Sequence, residues 1–244
     1  MSEEIFRARQ ALFAEMNVPT SKASLRLLRV RHQVKVLLWE VGLGSLFAIK
    51  RVMDILGAGF GLLLLSPLLV AVALAIVIED GRPFLFRQQR VGLNGRVFPF
   101  YKFRSMYRNA EAIRQKLLAS NESADGVIFK MKQDPRVTRV GRFIRRFSID
   151  ELPQLFNVIT GDLALVGPRP PLPAEVAQYT LEDRKRLHVK PGLTCFWQIQ
   201  GRSEIPFKDQ VRLDLQYIQS QSIITDIWIL LKTIPAVLTG KGAY

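Results

Sequence analysis

Apolar positions change texture several times along this chain. Residues 21–42 mix Lys22, Arg26, Arg29, Arg31 and Lys35 with Leu25, Leu28 and Trp39, the pattern of a helix lying at an interface. A protein groove suits such a helix too, but the apolar segment that follows favours lipid. Residues 55–78 carry no charge, and as a helix they reach about 36 Å against a hydrocarbon core of roughly 30 Å. From Pro83 the texture is that of a globular domain. Two alternating arms, FLFRQQRV and RVFPFYKFR, flank Asn94-Gly95 and predict a β-hairpin, whose second arm Pro99 demotes to an edge. Lys102 and Arg104 share one face of that arm, where a solvated basic edge is the ordinary reading. Ser105 is placed to cap a helix over MYRNAEAIRQKLLA, and a polar loop follows around residues 121–126. Residues 171–190 read as a polar helix. Two further helical stretches fill residues 208–238, the second interrupted by Asp226, Lys232 and Pro235 and therefore unfit to span. Its apolar side with Trp228 suits the membrane interface or the protein core.

Two features argue against a simple crossing by the apolar segment. Ser66-Pro67 stands at its middle, where proline removes a helical hydrogen bond at about 3 kcal/mol. Both flanks are also basic. From Thr20 to Met53, Lys22, Arg26, Arg29, Arg31, Lys35, Lys50 and Arg51 stand against Glu40 alone, and from Glu79 to Arg104, Arg82, Arg87, Arg90, Arg96, Lys102 and Arg104 stand against Glu79 and Asp80. Cytoplasmic flanks carry the Lys/Arg excess, so a segment that turns at Ser66-Pro67 and leaves on the side it entered satisfies both ends. No apolar core with a small-residue cleavage site stands at the N-terminus, so no cleavable signal is expected.

Charge narrows the partners. A net charge of +14 over 244 residues favours anions: nucleic acid, acidic lipid or phosphorylated small molecules. One cysteine, Cys195, excludes an internal disulfide, and two distant histidines, His32 and His188, argue against a zinc site or a histidine triad. No glycine-rich phosphate loop or dinucleotide fingerprint is present. Chemistry falls to carboxylates.

Residues 145–171, RRFSIDELPQLFNVITGDLALVGPRPP, concentrate the candidates. Ser148 and Glu151 fit a capping box, whereas Pro153 suits a helix starting nearer Asp150; either way Asp150 lies in the first turn. Arginines at 136, 139, 142 and 145, then Arg146 and Arg169, exceed what two acids require. Arginine's planar fork suits phosphate, so the pattern points to carboxylates working on a phosphate ester. Further on, KPGLTCFWQIQGR is compatible with a pocket wall in which Arg202 meets an anion, and equally with loop packing.

The stretch SIDELPQLFNVITGDLALVGPRP resembles the hallmark of the bacterial sugar transferases. The likeness runs from about Lys50 to the C-terminus through KRVMDILG, FRQQRVGLNG, YKFRSM, DPRVTRVGRFIRR and the terminal GKGAY. Arg82, Ala164 and Cys195 depart from the family's usual residues; the acid pair and Pro-Arg-Pro do not. The resemblance implies transfer of a sugar 1-phosphate from a UDP-sugar to undecaprenyl phosphate with release of UMP, an early membrane step of exopolysaccharide or O-antigen-type assembly. It also implies a re-entrant membrane helix broken at Ser66 and Pro67, and an active site on the cytoplasmic face of the bacterial inner membrane. On these residues, Asp150 is expected to be the covalent nucleophile, held ionised by a helix dipole, and Glu151 to hold Mg²⁺. Lys102, Arg104, Arg145 and Arg169 are expected to grip phosphates, with Pro168 and Pro170 shaping the nucleotide contact.

The expected fold is α+β and mostly helical: an N-terminal amphipathic extension (1–49), a re-entrant helix (50–82) and a cytoplasmic catalytic domain (83–244) with interfacial helices and a small hairpin. Membrane lipid is an expected partner, nucleic acid is not, and a homo-oligomer stays open. The rival class is a non-enzymatic, membrane-anchored protein that holds acidic lipid or nucleic acid. It accounts for charge and helices but not for the acid pair.

Overall fold

The computed structural model describes residues 22–110, 112–113, 134–202 and 205–240, with side chains from residue 47 on. The chain falls into two units, residues 1–50 and 51–244. The polar face expected within residues 1–49, most of the helix expected after Ser105, the loop around 121–126 and residues 241–244 of the terminal GKGAY lie outside what is described.

Helix α1 runs Lys22–Asp80. Strands β1 (Leu85–Val91) and β2 (Val97–Phe103) form the antiparallel hairpin. Helix α2 (Arg139–Arg146) leads into a 3₁₀ turn (Ile149–Gln154), which continues as α3 (Leu155–Thr160). Strand β3 (Ala164–Val166) follows, then the short helices α4 (Pro173–Val176) and α5 (Leu181–Arg184). Strand β4 (Gly192–Thr194) pairs parallel with β3, and α6 (Phe196–Gln200), α7 (Phe207–Gln219) and α8 (Ile223–Thr239) complete the chain. The architecture is mostly helical, with one long apolar helix and a small antiparallel sheet.

The 34-residue portion Phe47–Asp80 of α1 is long and apolar enough to cross a membrane. Ser66 and Pro67 lie inside it. Proline cannot donate to the carbonyl four residues back, which is that of Leu63. The Ser66 hydroxyl donates to this same carbonyl at 2.8 Å, so the Ser-Pro pair repairs the bond that its proline removes.

One face of α1 packs along the rest of the second unit. Ala58 and Leu62 join Phe98, Phe100, Leu155, Val158 and Leu163 in one cluster; Leu69, Val72, Ala73 and Ile76 join Phe103 and Ile144 in another. These positions recur at helical spacing. The opposite face, with Leu56, Phe60, Leu63, Val70, Leu74 and Ile78, is exposed and apolar. Polar ties fasten both ends. Arg51 donates to the carbonyls of Val158 and Ile159 at 2.6 and 2.8 Å, and Asp54 accepts the Leu165 N–H at 3.0 Å. At the far end Glu79 accepts the N–H groups of Arg139 and Val140, orphan donors in the first turn of α2, at 2.8 and 3.0 Å.

The hairpin turns where expected, with Asn94 and Gly95 in left-handed conformations, and Pro99 is accommodated in a regular register opposite Gln89. Three local expectations change. Ser105 is not a helix cap: Met106 makes an isolated bridge to Val137, and the Ser105 carbonyl accepts from Thr138. Residues 171–190 break into short helices instead of one. The parallel pairing of β3 with β4 has no counterpart in the sequence reading. It depends on Gly192, where a Cβ would strike the backbone of Val166 and Gly167.

Stability should be most sensitive where backbones touch. A Cβ on Gly141 would collide with the Ser105 backbone, whereas one on Gly59 meets nothing. Gly141→Ala should therefore cost about 3 kcal/mol or more, while Gly59→Ala should be neutral or stabilising by up to ~1 kcal/mol. Thermal unfolding in detergent would check this, and a Gly141→Ala protein melting with the wild type would refute the packing described.

Candidate active site

Helix α2 ends at Phe147, and Ser148 takes a left-handed backbone, φ 52°. That conformation is uncommon outside glycine and costs on the order of 1–3 kcal/mol. It turns the chain sharply into the 3₁₀ turn that carries Asp150 and Glu151. Ser148 makes no side-chain cap, so the capping box is not formed. Its hydroxyl instead accepts from Arg202 Nη2 at 3.0 Å. Arg202 has a left-handed backbone as well, φ 54°. Two strained non-glycine residues thus meet beside the acid pair.

The wall opposite is the hairpin. The inward face of β2 runs Phe98, Phe100, Lys102. The two aromatics enter the core against Leu155 and Val158, and Lys102, next in line, faces Asp150 electrostatically. A solvated basic edge is therefore excluded. Lys102 is half-buried, and its ammonium lies 5.4 Å from the Phe86 ring centroid.

The corner Pro168-Arg169-Pro170 is held by its carbonyls. Prolines have no N–H to give, so the neighbours donate: Gly192 N to Pro168 at 2.9 Å, Arg90 Nη1 to Pro170 at 3.0 Å and Val91 N to Pro171 at 2.9 Å. Both corner prolines are fully buried. Arg169 emerges between them, half-exposed, with Nη1 3.5 Å from Glu151 Oε1 and its guanidinium 5.8 Å from the Trp197 ring centroid.

Asp150, Glu151, Lys102, Arg145, Pro168, Arg169 and Pro170 are thereby brought together. Arg104 is not. It stands just past the end of β2, where its guanidinium pairs with Asp80 at 3.2 Å and donates to the carbonyls of Asp80 and Gly81 at 3.1 and 2.6 Å. Expected as a phosphate ligand, it anchors the end of α1. Of the periodic arginines, Arg136 is buried on Asp134, Arg139 and Arg142 are exposed, and Arg145 acts on Asp150. Arg90 joins the site without having been marked for it, and Arg202, for which a pocket wall and loop packing were equally open, stands beside the acid pair. Arg90 looks like any strand arginine in sequence, and the left-handed turn that aims Arg202 has no residue signature.

The electrostatics follow from burial. Desolvation, then the neighbouring Glu151, push the Asp150 carboxyl up to about 7, against the pull of Lys102 and Arg145. The expected helix-dipole stabilisation of its charge is overturned, because a six-residue 3₁₀ turn offers less than burial removes. Burial also pushes Lys102 down to about 8, with Arg90, Arg169 and Arg145 acting the same way against Asp150. Arg90 falls to about 10, by burial and then by Arg169. The site holds its cations in excess of its acids and at a cost, an arrangement that an incoming polyanion relieves. Among the described residues no cluster of three or more His, Cys, Asp or Glu is present. Glu151 alone offers a half-exposed carboxylate next to the position of such an anion, which fits Mg²⁺, an ion usually bound by one or two carboxylates and substrate phosphates.

The profile of the family described as bacterial sugar transferase matches residues 45–240. Galactosyl transferase CpsE of Streptococcus agalactiae serotype III (strain NEM316) is 50% identical over 196 residues, 80% of this chain and 43% of that protein. Undecaprenyl-phosphate galactose phosphotransferase of Salmonella typhimurium (strain LT2) is 43% identical over 199 residues, 80% of this chain and 42% of that protein. Exopolysaccharide production protein ExoY of Sinorhizobium fredii (strain NBRC 101917 / NGR234) is 39% identical over 198 residues and is covered over 88% of its length. The chain thus spans less than half the length of the first two and most of the third.

The raised Asp150 carboxyl makes stability depend on pH in a definite direction. Between about 4, the ordinary carboxylate value, and about 7, the folded protein keeps a proton that the unfolded chain has lost, so wild-type stability falls as pH rises through that window. Asp150→Asn has no such proton. Its melting temperature relative to wild type should rise from pH 5 to pH 8, and a difference independent of pH would contradict the burial argument.

Proposed function

Because this chain belongs to the bacterial sugar transferase family, we propose that it transfers a sugar 1-phosphate from a UDP-sugar to undecaprenyl phosphate, with Asp150 as covalent nucleophile. The observation that carries this reading is a buried carboxylate, next to a second one, enclosed by Arg90, Lys102, Arg145, Arg169 and Arg202. The names of two relatives, the Salmonella galactose phosphotransferase and a Caulobacter UDP-glucose:undecaprenyl-phosphate glucose-1-phosphate transferase, support the substrate classes.

A diphosphate entering against Arg169, Arg90 and Lys102 offsets their mutual repulsion, and the attack uses the ionised form of Asp150, which Lys102 and Arg145 favour. One Asp150 oxygen bonds to the phosphorus bearing the sugar as the phosphoanhydride breaks, and UMP leaves with that electron pair. An oxygen of undecaprenyl phosphate then attacks the same phosphorus, the bond to Asp150 breaks, and the carboxylate is restored. Arg145 and Lys102 stabilise charge on the transferred phosphate, and Arg169 orients the nucleotide with the buried prolines as its rigid base. Mg²⁺, held by Glu151 and the diphosphate, would supply further neutralisation of the leaving group.

The site belongs, in this reading, on the cytoplasmic face of the inner membrane. Both ends of the apolar stretch of α1 are tied to the same polar domain, by Arg51 and Asp54 at one end and Glu79 and Asp80 at the other. A crossing helix would carry one end some 30 Å away through hydrocarbon. The expected break at Ser66 and Pro67 is not seen, since α1 runs through both as one helix; lying along the domain, it keeps both ends of its apolar stretch with that domain without crossing, and the exposed apolar faces of α1 and α8 meet lipid.

Three outcomes are expected. Protein given a UDP-sugar without lipid acceptor should gain the mass of one sugar phosphate and release UMP; Asp150→Asn should abolish adduct and turnover, and Glu151→Gln or Mg²⁺ chelation should impair both. Lipid product accumulating with no adduct from any UDP-sugar would make the transfer direct. Arg169→Lys should lose at least tenfold in kcat/KM with the charge retained, and wild-type kinetics would remove the bidentate role. With Cys195 replaced by Ala, cysteines introduced at positions 52 and 82 should both resist an impermeant thiol reagent in intact cells, and labelling of just one would show a crossing helix.

A further inference from the structure

Behind the Pro168-Arg169-Pro170 corner lies an ion pair that the chemistry above does not use. Arg186, following α5, and Asp214, on α7, face each other in direct contact, with side chains only 4% and 1% exposed. Burying two ions costs several kcal/mol each, and apolar residues of the same size often hold a fold as well or better. Stability alone is therefore a weak reason for a pair at this place. Its surroundings suggest another. Arg186 lines a small hollow with Pro168, Arg169, Pro171 and Pro191. Its Nη1 donates to the Tyr179 hydroxyl at 3.2 Å, and its Nη2 reaches the Arg169 carbonyl at 3.5 Å. The carbonyls of Pro168, Pro170 and Pro171 take neutral backbone donors or Arg90. Among the described residues, that of Arg169 is met by Arg186.

We propose that Asp214, acting through Arg186, is a positioning residue that fixes the Arg169 peptide and so the direction in which the Arg169 guanidinium leaves the corner. At 3.5 Å the contact is long for a hydrogen bond, and it works as a full charge facing a carbonyl dipole. Asp214 Oδ2 holds Nη2, the nitrogen that also faces the Arg169 carbonyl, and Tyr179 receives Nη1, so the two contacts together set where Nη2 points. Neither Arg186 nor Asp214 touches substrate.

The inference rests on Arg169 binding the donor's nucleotide, and a double-mutant cycle separates the two claims. The probe is UDP, with its Kd read by calorimetry on the full chain in detergent. Arg169→Lys alone should weaken UDP at least tenfold; no effect would remove the role of Arg169 and this proposal with it. The paired swap Arg186→Met with Asp214→Leu should melt close to the wild type and weaken UDP by a similar factor. Placed in the Arg169→Lys background, the same swap should add less than twofold. Losses that multiply in full, or wild-type affinity in the swapped protein, would overturn the positioning role even with Arg169 confirmed. Should the swap fail to fold, Arg186→Lys keeps a charge for Asp214 but lacks the second arm of the fork. It should weaken UDP severalfold only where Arg169 is present, and an equal loss in the Arg169→Lys background would overturn the proposal just as plainly.

Discussion

The acid pair is the constraint on which the rest of the structure depends. Two neighbouring carboxylates, one of them buried, are tolerated only because cations stand around them, and those cations in turn repel one another. Neither set is comfortable alone. Asp150 rises to about 7 and Lys102 falls to about 8, so each partner sits close to losing its charge near neutral pH. Such a site binds a polyanion well for the reason that it is poorly compensated without one. The strained backbones of Ser148 and Arg202 belong to the same arrangement, since they turn the acids inward and close the ring of charge.

Rigidity is supplied from outside the ring. The hairpin carries Lys102 on a strand whose preceding inward residues, Phe98 and Phe100, are fixed in the core. The proline corner is fastened at its carbonyls, and the Arg169 guanidinium that leaves it lies over Trp197. Helix α1 is the third support, for its polar ties at both ends hold α2, α3 and β3, and α2 and α3 flank the turn bearing the acids. The long apolar helix is thus part of the scaffold of the site as well as its attachment to lipid. The Ser66 hydroxyl on the Leu63 carbonyl lets α1 contain a proline without leaving an apolar stretch with an unpaired acceptor.

What was legible in the sequence was whatever local chemistry determines. Asn94-Gly95 set the hairpin, the uncharged run set the helix, and the crowding of Asp150, Glu151, Arg145 and Arg169 in one short stretch marked the site. What was not legible depends on partners distant in the chain. Strand alternation put Arg104 beside Lys102, but the strand ends first and Asp80, at the end of α1, claims the guanidinium. Arg202, Arg90 and the pair Arg186–Asp214 acquire their places from tertiary contacts. The pairing of β3 with β4 joins three-residue strands too short to show a period, and the charge state of Asp150 turned on burial, which no spacing encodes.

The central claim is that burial and a like-charged neighbour hold Asp150 far above an ordinary carboxylate. A ¹³C NMR titration of protein labelled at the aspartate side-chain carboxyls measures this directly, with Asp150→Asn to assign the resonance. The account predicts one aspartate titrating near pH 7, absent from Asp150→Asn and moving to higher pH in Lys102→Met. An Asp150 resonance titrating near 4, the usual value for the residue, would contradict it.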